Sequence, residues 1–101
     1  MPEWTKVAAK EALGPGTAMK VEVNGRELAL YNVDGQYYCT SNICPHQGAP
    51  LAEGMIEGKN IVCPWHAWVF DVTSGQSPVN PRAKIPCVQV KVEGNDVFVN
   101  L

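Results

Sequence analysis

Two dipeptides, Asn24-Gly25 and Asp34-Gly35, cut the first part of the chain into short alternating runs, and this punctuation narrows the fold more than any other feature. Both pairs tolerate the positive φ of a type I′ turn, so apolar runs on either side of them read as hairpins. Met19, Val21 and Val23 alternate with Lys20 and Glu22 before the first turn. Leu28-Ala29-Leu30-Tyr31-Asn32-Val33 lies between the turns, and Gln36-Tyr37-Tyr38-Cys39-Thr40 follows the second. Alternation returns in Cys87-Val88-Gln89-Val90-Lys91-Val92-Glu93, where the valines take one face. It repeats at Val97, Val99 and Leu101 after the turn-forming cluster Gly94-Asn95-Asp96. Period-two alternation is the mark of half-buried strands. The pattern predicts an all-β chain whose two ends pair into one antiparallel base. The single helical candidate, Val7 to Leu13, is ended at once by Gly14-Pro15-Gly16 and is expected to be one short turn.

A chain of 101 residues is expected to form one domain. Within it, residues of about 42–76 form an insert rich in Cys, His, Pro, Gly and Trp; the base takes about 1–41 and 77–101. Loops carried by a rigid sheet are where function is usually placed. An apolar fraction of 46% with 18% charged residues excludes a disordered chain. So short a chain builds only a modest core, which a bound metal would reinforce. A net charge of -2 without any basic run excludes nucleic acid or an anionic membrane as partner. No apolar run approaches the ~20 residues needed to span a bilayer. The N-terminal residues lack the charged and apolar regions of a signal peptide, so a cytoplasmic location is expected. There, four cysteines read as metal ligands or free thiols rather than a disulfide framework.

The insert holds a local echo, Cys44-Pro45-His46 and Cys63-Pro64-Trp65-His66. Short Cys–His spacings let two side chains of one loop reach the same metal, and the long gap brings a second loop from the other side. Pro45 and Pro64 fix φ directly after each cysteine. Gly48 and Gly54 are expected to supply conformations that residues with a Cβ avoid. Ordinary core residues would leave both tight spacings to chance. A structural Cys₂His₂ zinc site also accepts short spacings, so spacing alone leaves it open. Zinc fingers pair cysteines in one knuckle and histidines in the other, however, whereas here each loop brings one of each.

With its neighbours, this arrangement resembles the Rieske [2Fe–2S] family, through Cys44-Pro45-His46-Gln47-Gly48-Ala49-Pro50-Leu51 and Cys63-Pro64-Trp65-His66-Ala67-Trp68. The Asp34-Gly35 hairpin before the first loop and the Gly- and Pro-bearing stretch from Gly75 to Asn80 after the second agree with it. The resemblance implies the Rieske fold, an antiparallel β-sandwich base with an inserted, loop-built cluster-binding subdomain. It also implies one [2Fe–2S] cluster per chain, with Cys44 and Cys63 on one iron and His46 and His66 on the other. Two ferric ions, two sulfides, two thiolates and two neutral imidazoles sum to zero charge, so an added electron meets less repulsion than in an all-thiolate centre. Rieske potentials accordingly span roughly −150 to +300 mV, against about −400 mV for plant-type ferredoxins. High-potential members carry an extra cysteine in each loop and hydroxyls beside the cluster. Here those positions hold Ala49 and Trp65, and Trp68 and Phe70. A low-potential cluster is expected.

The chain contains two histidines, both claimed by the cluster. A mononuclear iron held by two further histidines and a carboxylate cannot be built, and no Gly-x-Gly-x-x-Gly stretch offers a nicotinamide or flavin site. An electron carrier rather than an enzyme is expected. Two sets of partners fit the resemblance. One is a flavin-dependent reductase and a terminal oxygenase, as for the free Rieske ferredoxins of aromatic-ring dioxygenase systems. The other is the large subunit of an NAD(P)H-dependent assimilatory nitrite reductase, whose small subunit the His66-x-Trp68-Val69-Phe70-Asp71 run also resembles. A zinc-stabilised interaction module is the third reading.

Elsewhere, Cys39 and Cys87 read as small buried apolar residues. A disulfide between them would be poorly suited to the cytosol. Trp68 and Phe70 are expected to shield the cluster, with Trp65 the better exposed docking candidate. The Ser77-Pro78-Val79-Asn80-Pro81 loop covers the cluster if the resemblance extends that far. Glu53, Glu57, Arg82 and Lys84 read as solvated surface, the two glutamates being also candidates for docking a basic reductase. Trp4 is expected to anchor the terminus on the base sheet.

Overall fold

A computed structural model of the chain describes residues 4–44, 48, 50–64, 68–79 and 83–100. Nine strands appear among them: β1 (Trp4–Ala9), β2 (Thr17–Val23), β3 (Arg26–Val33), β4 (Gln36–Ser41), β5 (Met55–Glu57), β6 (Asn60–Val62), β7 (Val69–Asp71), β8 (Cys87–Glu93) and β9 (Asp96–Asn100). Six of them form one antiparallel sheet in the order β1-β9-β8-β4-β3-β2. The other three form a small sheet, β5-β6-β7, inside the insert.

Both sequence-predicted hairpins form. Val23 pairs with Arg26 across Asn24-Gly25, and Val33 pairs with Gln36 across Asp34-Gly35. Asn24, Gly25, Asp34 and Gly35 all have positive φ, as a type I′ turn requires. The buried Asn32 side chain fixes the second turn by accepting from the Gly35 amide at 2.8 Å and donating to the Leu13 carbonyl at 2.8 Å.

The middle strand β3 has no solvent face over Leu28 to Asn32. Leu28 and Leu30 pack with Leu13, Val21, Val23, Cys39, Val97 and Val99, because the long sheet curls over one of its own faces. Ala29 and Tyr31 point the other way and pack with Cys44, Leu51, Ile61, Cys63, Phe70, Val72, Ala83 and Ile85. One strand thus serves two interiors, which explains why its sequence is an apolar run and not a strict alternation.

One expectation is narrowed and two need correction. The segment Val7 to Leu13 divides: Val7 to Ala9 extend β1, and the helical part is a 3-10 turn at Lys10–Ala12. Pairing with β9 overrides the helix preference of Lys and Ala there, and the register shifts between Lys6 and Ala8. The insert is not loop alone, since it also holds the three-stranded sheet. Cys87 is exposed, not buried, whereas Cys39 is buried, and both are free thiols. In register, Cys39 opposes Val88 and Thr40 opposes Cys87, so the two thiols leave opposite faces of the sheet. That geometry argues against a disulfide between them. Trp4 does sit on β1 at the sheet edge, with the Lys91 ammonium 4.6 Å from its ring centroid.

Candidate metal centre

Each cysteine of the two motifs leaves a different edge of the insert. Cys44 follows β4 after an isolated bridge between Ile43 and Pro50. Its carbonyl accepts from the Gly48 amide at 2.8 Å, which curls the loop, and Gly48 takes a φ of 74°. Cys63 directly follows β6, and its amide donates to the Trp68 carbonyl at 2.6 Å, drawing the start of β7 alongside. The hairpin β6–β7, with Val62 opposite Val69, thus carries the second loop at its tip.

Gly54 differs from what was expected of it. Its φ of -80° is open to any residue, so no special conformation is needed. The constraint is space: a Cβ there would stand 2.0 Å from the Val62 carbonyl oxygen. The 3-10 turn Leu51–Glu53 is thereby pressed against the strand that leads into Cys63.

The two thiols are 1% and 3% exposed and belong to one apolar cluster with Leu51, Ile61 and Phe70. Trp68 packs half-buried against that cluster, its ring centroid 6.4 Å from that of Phe70. Two buried cysteines from separate loops, sharing one apolar cluster, fit the thiolate half of an iron–sulfur donor set. His46 and His66 lie outside the described residues, as do Pro45, Ala49, Trp65, Asn80, Pro81 and Arg82. Of the Pro-bearing loop, Ser77 is buried while Pro78 and Val79 are exposed. Glu53, Glu57 and Lys84 are exposed, as surface residues should be.

Two groups near the cluster have displaced acidities. Burial pushes the Tyr31 phenol well above its ordinary range, although a hydrogen bond to Thr40 opposes the shift. Burial raises the carboxyl of Asp71, at the end of β7, but the Thr73 hydroxyl and amide and then the Lys59 ammonium outweigh it, leaving it below its usual value. Asp71 also organises the turn after β7, its carbonyl accepting from the Ser74 and Gly75 amides.

One polar residue of the site escaped the sequence reading. Asn42, two residues before Cys44, is 1% exposed and fully hydrogen-bonded through both backbone and side chain. The available signal was weak: asparagine bonds to nearby backbone so readily that it is common in any loop.

Comparison with known proteins agrees with this geometry. The family model described as the Rieske [2Fe-2S] domain matches residues 3–98. The ferredoxin component of the naphthalene 1,2-dioxygenase/salicylate 5-hydroxylase systems of a Ralstonia species is 37% identical, over 97% of this chain and 95% of that protein. Among solved structures, a ferredoxin in complex with the oxygenase of carbazole 1,9a-dioxygenase is similar at a TM-score of 0.88 and 35% identity, covering 96% of this chain and 92% of that one. A structure assigned to an NADH-dependent nitrite reductase small subunit of Mycobacterium tuberculosis shares the fold at a TM-score of 0.93, with 24% identity, 100% of this chain and 96% of that one covered.

Proposed function

Since the chain belongs to the Rieske [2Fe–2S] domain family, we propose that it is a low-potential one-electron carrier, taking electrons from a flavin-dependent reductase and passing them to a terminal oxygenase. The observation that carries this reading is the pair of buried cysteines, Cys44 and Cys63, brought from separate loops into one cluster. These thiolates would hold one iron, and His46 and His66 the other. When bound, the group supplies one-electron redox chemistry. Leu51, Ile61, Phe70 and Val72 exclude water from the thiolate side. Trp68 and Phe70 bring no hydroxyl to it, which supports the low potential. We place the cluster-binding part at about 42–76 and the base at about 1–41 and 77–101.

With two histidines in the whole chain, no second iron site of the two-histidine, one-carboxylate kind can be formed, so substrate chemistry falls to the partner. Among the described residues no helix is long and apolar enough to cross a membrane. A cytoplasmic carrier suits a reductase and oxygenase in the same compartment. A second reading, the small subunit of an NAD(P)H-dependent nitrite reductase, is favoured by the His66-x-Trp68-Val69-Phe70-Asp71 run.

The test is anaerobic purification followed by iron and acid-labile sulfide analysis, EPR of the reduced sample, and voltammetry. Two irons and two sulfides per chain, a low average g and a potential in the lower part of the range of roughly −150 to +300 mV are expected. Cys44→Ser and Cys63→Ser should each abolish the signal. A colourless protein with stoichiometric zinc would refute electron transfer, and a potential above about +100 mV would refute the low-potential assignment. Reoxidation of the reduced carrier by a ring-hydroxylating oxygenase, and not by a nitrite reductase large subunit, separates the two sets of partners.

A further inference from the structure

Asn42 stands where the β3–β4 hairpin gives way to the first motif loop. Its backbone amide donates to the Glu27 carbonyl at 3.1 Å, and its carbonyl accepts from the Leu51 amide at 2.8 Å. Its side chain makes two more bonds. Oδ1 accepts from the Ala52 amide at 2.8 Å, and Nδ2 donates to the Glu27 carboxylate at 3.3 Å. Residue 42 therefore ties the beginning of β3 to the far end of the 43–50 loop, and Cys44 lies within the segment so closed. Leu51, at the far end, is fully buried in the same cluster as both thiols.

We propose that Asn42 is a positioning residue for the iron–sulfur group, its side chain closing the first motif loop and thereby setting where the Cys44 thiolate stands relative to Cys63. The proposal rests on the carrier reading above. The backbone bonds at position 42 are open to any residue but proline, so side-chain variants isolate the closure from the rest of the hairpin. Asn42→Ala removes both side-chain bonds. Asn42→Asp keeps an acceptor for the Ala52 amide but sets a carboxylate against that of Glu27. Adding Glu27→Gln restores an amide–carboxylate pair with its polarity reversed. Glu27 also lies 3.7 Å from the Lys20 ammonium, but both side chains of that pair are more than 40% exposed, so losing it matters little.

Three readouts test this: amide exchange at Ala52, EPR line shape of the reduced protein, and the rate of iron release to a chelator. In Asn42→Ala, Ala52 exchange and iron release should each rise about tenfold or more. The EPR features should broaden, while exchange in β3 and β9 stays as in the wild type. The Asn42→Asp/Glu27→Gln pair should return all three to within about twofold. If Asn42→Ala shows wild-type EPR and iron release, even with a lower melting temperature, Asn42 is merely structural and the proposal is overturned. Should Asn42→Ala fail to fold, the double variant decides alone: Ala52 unprotected with wild-type iron release also overturns it. A wild-type protein that takes up no iron would instead overturn the carrier reading. Ala52 protection in that same metal-free sample then shows whether the loop is closed by Asn42.

Discussion

On the β3–β4 side of the cluster that holds Cys44 and Cys63, two hydroxyls meet away from solvent. Tyr31 of β3 and Thr40 of β4 are both fully buried, with Oη and Oγ1 2.8 Å apart. The Thr40 hydroxyl has one proton and donates it to the Ser41 carbonyl at 2.9 Å. The Tyr31 phenol must therefore be the donor to Thr40, and its acidity, suppressed by burial, keeps it protonated. This polarity makes the two deletions unequal. Tyr31→Phe removes a donor and leaves the Thr40 proton satisfied, which costs about 0.5–1.5 kcal/mol. Thr40→Val leaves a phenol O–H with nothing to donate to in an apolar cluster and also deprives the Ser41 carbonyl, which costs about 2–3 kcal/mol. Once Thr40 is valine, Tyr31→Phe takes away the stranded donor and should cost nothing or restore stability. The double-mutant cycle should thus give a coupling of about 1–2 kcal/mol. Urea unfolding of the four proteins in the same metal-loading state measures it, provided m is unchanged; for a chain of this size about 1 kcal/mol moves the melting temperature by roughly 4–8 °C. Additive costs, or Tyr31→Phe costing more than Thr40→Val, would refute the assigned direction of the bond.

Three further outcomes are expected. Gly54→Ala should be much worse than Gly58→Ala, because a Cβ at 54 meets the Val62 carbonyl at 2.0 Å, whereas at 58 only a φ of 62° resists and the space is open; melting temperatures should separate a severe loss from one of about 1 kcal/mol. The Cys39 thiol, pushed up to about 12 by burial and then by Cys87, stays protonated in the fold while an unfolded thiol ionises near 9.0. Its contribution is complete below pH 9.0 and is lost as pH rises toward 12, so Cys39→Ala should flatten the alkaline fall in stability by up to about 1.4 kcal/mol per pH unit. Leu51→Ala, at a fully buried site in the cluster that holds Cys44 and Cys63, should cost about 2–5 kcal/mol and speed iron release, read by urea midpoint and chelator kinetics.

How legible each element was in the sequence follows from how local its cause is. The β2–β3–β4 hairpins are decided within a few residues, by Asn24-Gly25 and Asp34-Gly35 adopting positive φ, and they could be read directly. β1 could not, because Trp4–Ala9 becomes extended only by pairing with β9 near the opposite end of the chain. The strands β5, β6 and β7 have three residues each, too few for a period to show, and Ile61 and Phe70 of the small sheet are buried by packing with Ala29 and Tyr31 of β3, far away in sequence. Alternation put Cys87 correctly opposite in face to Val88, but whether that face is covered depends on how the Val72–Gly75 turn lies over it, which no local pattern encodes.

The site divides in the same way. The cysteine spacings announce themselves because a metal demands particular atoms, and those atoms belong to few residue types. Asn42 does not, because its importance lies in a backbone amide ten residues away that any amino acid other than proline would supply. A carrier needs its donor atoms held in place more than it needs unusual chemistry around them, and a loop alone holds atoms poorly. Here the motif loops are fastened to the face of β3 that carries Ala29 and Tyr31, while the opposite face of that strand, with Leu28 and Leu30, is locked into the interior of the curled sheet. Any loosening of the base core should therefore be felt at the thiols through a single shared strand, whereas loosening at the exposed outer face of β8 and β9, where Lys91 lies over Phe98, should not.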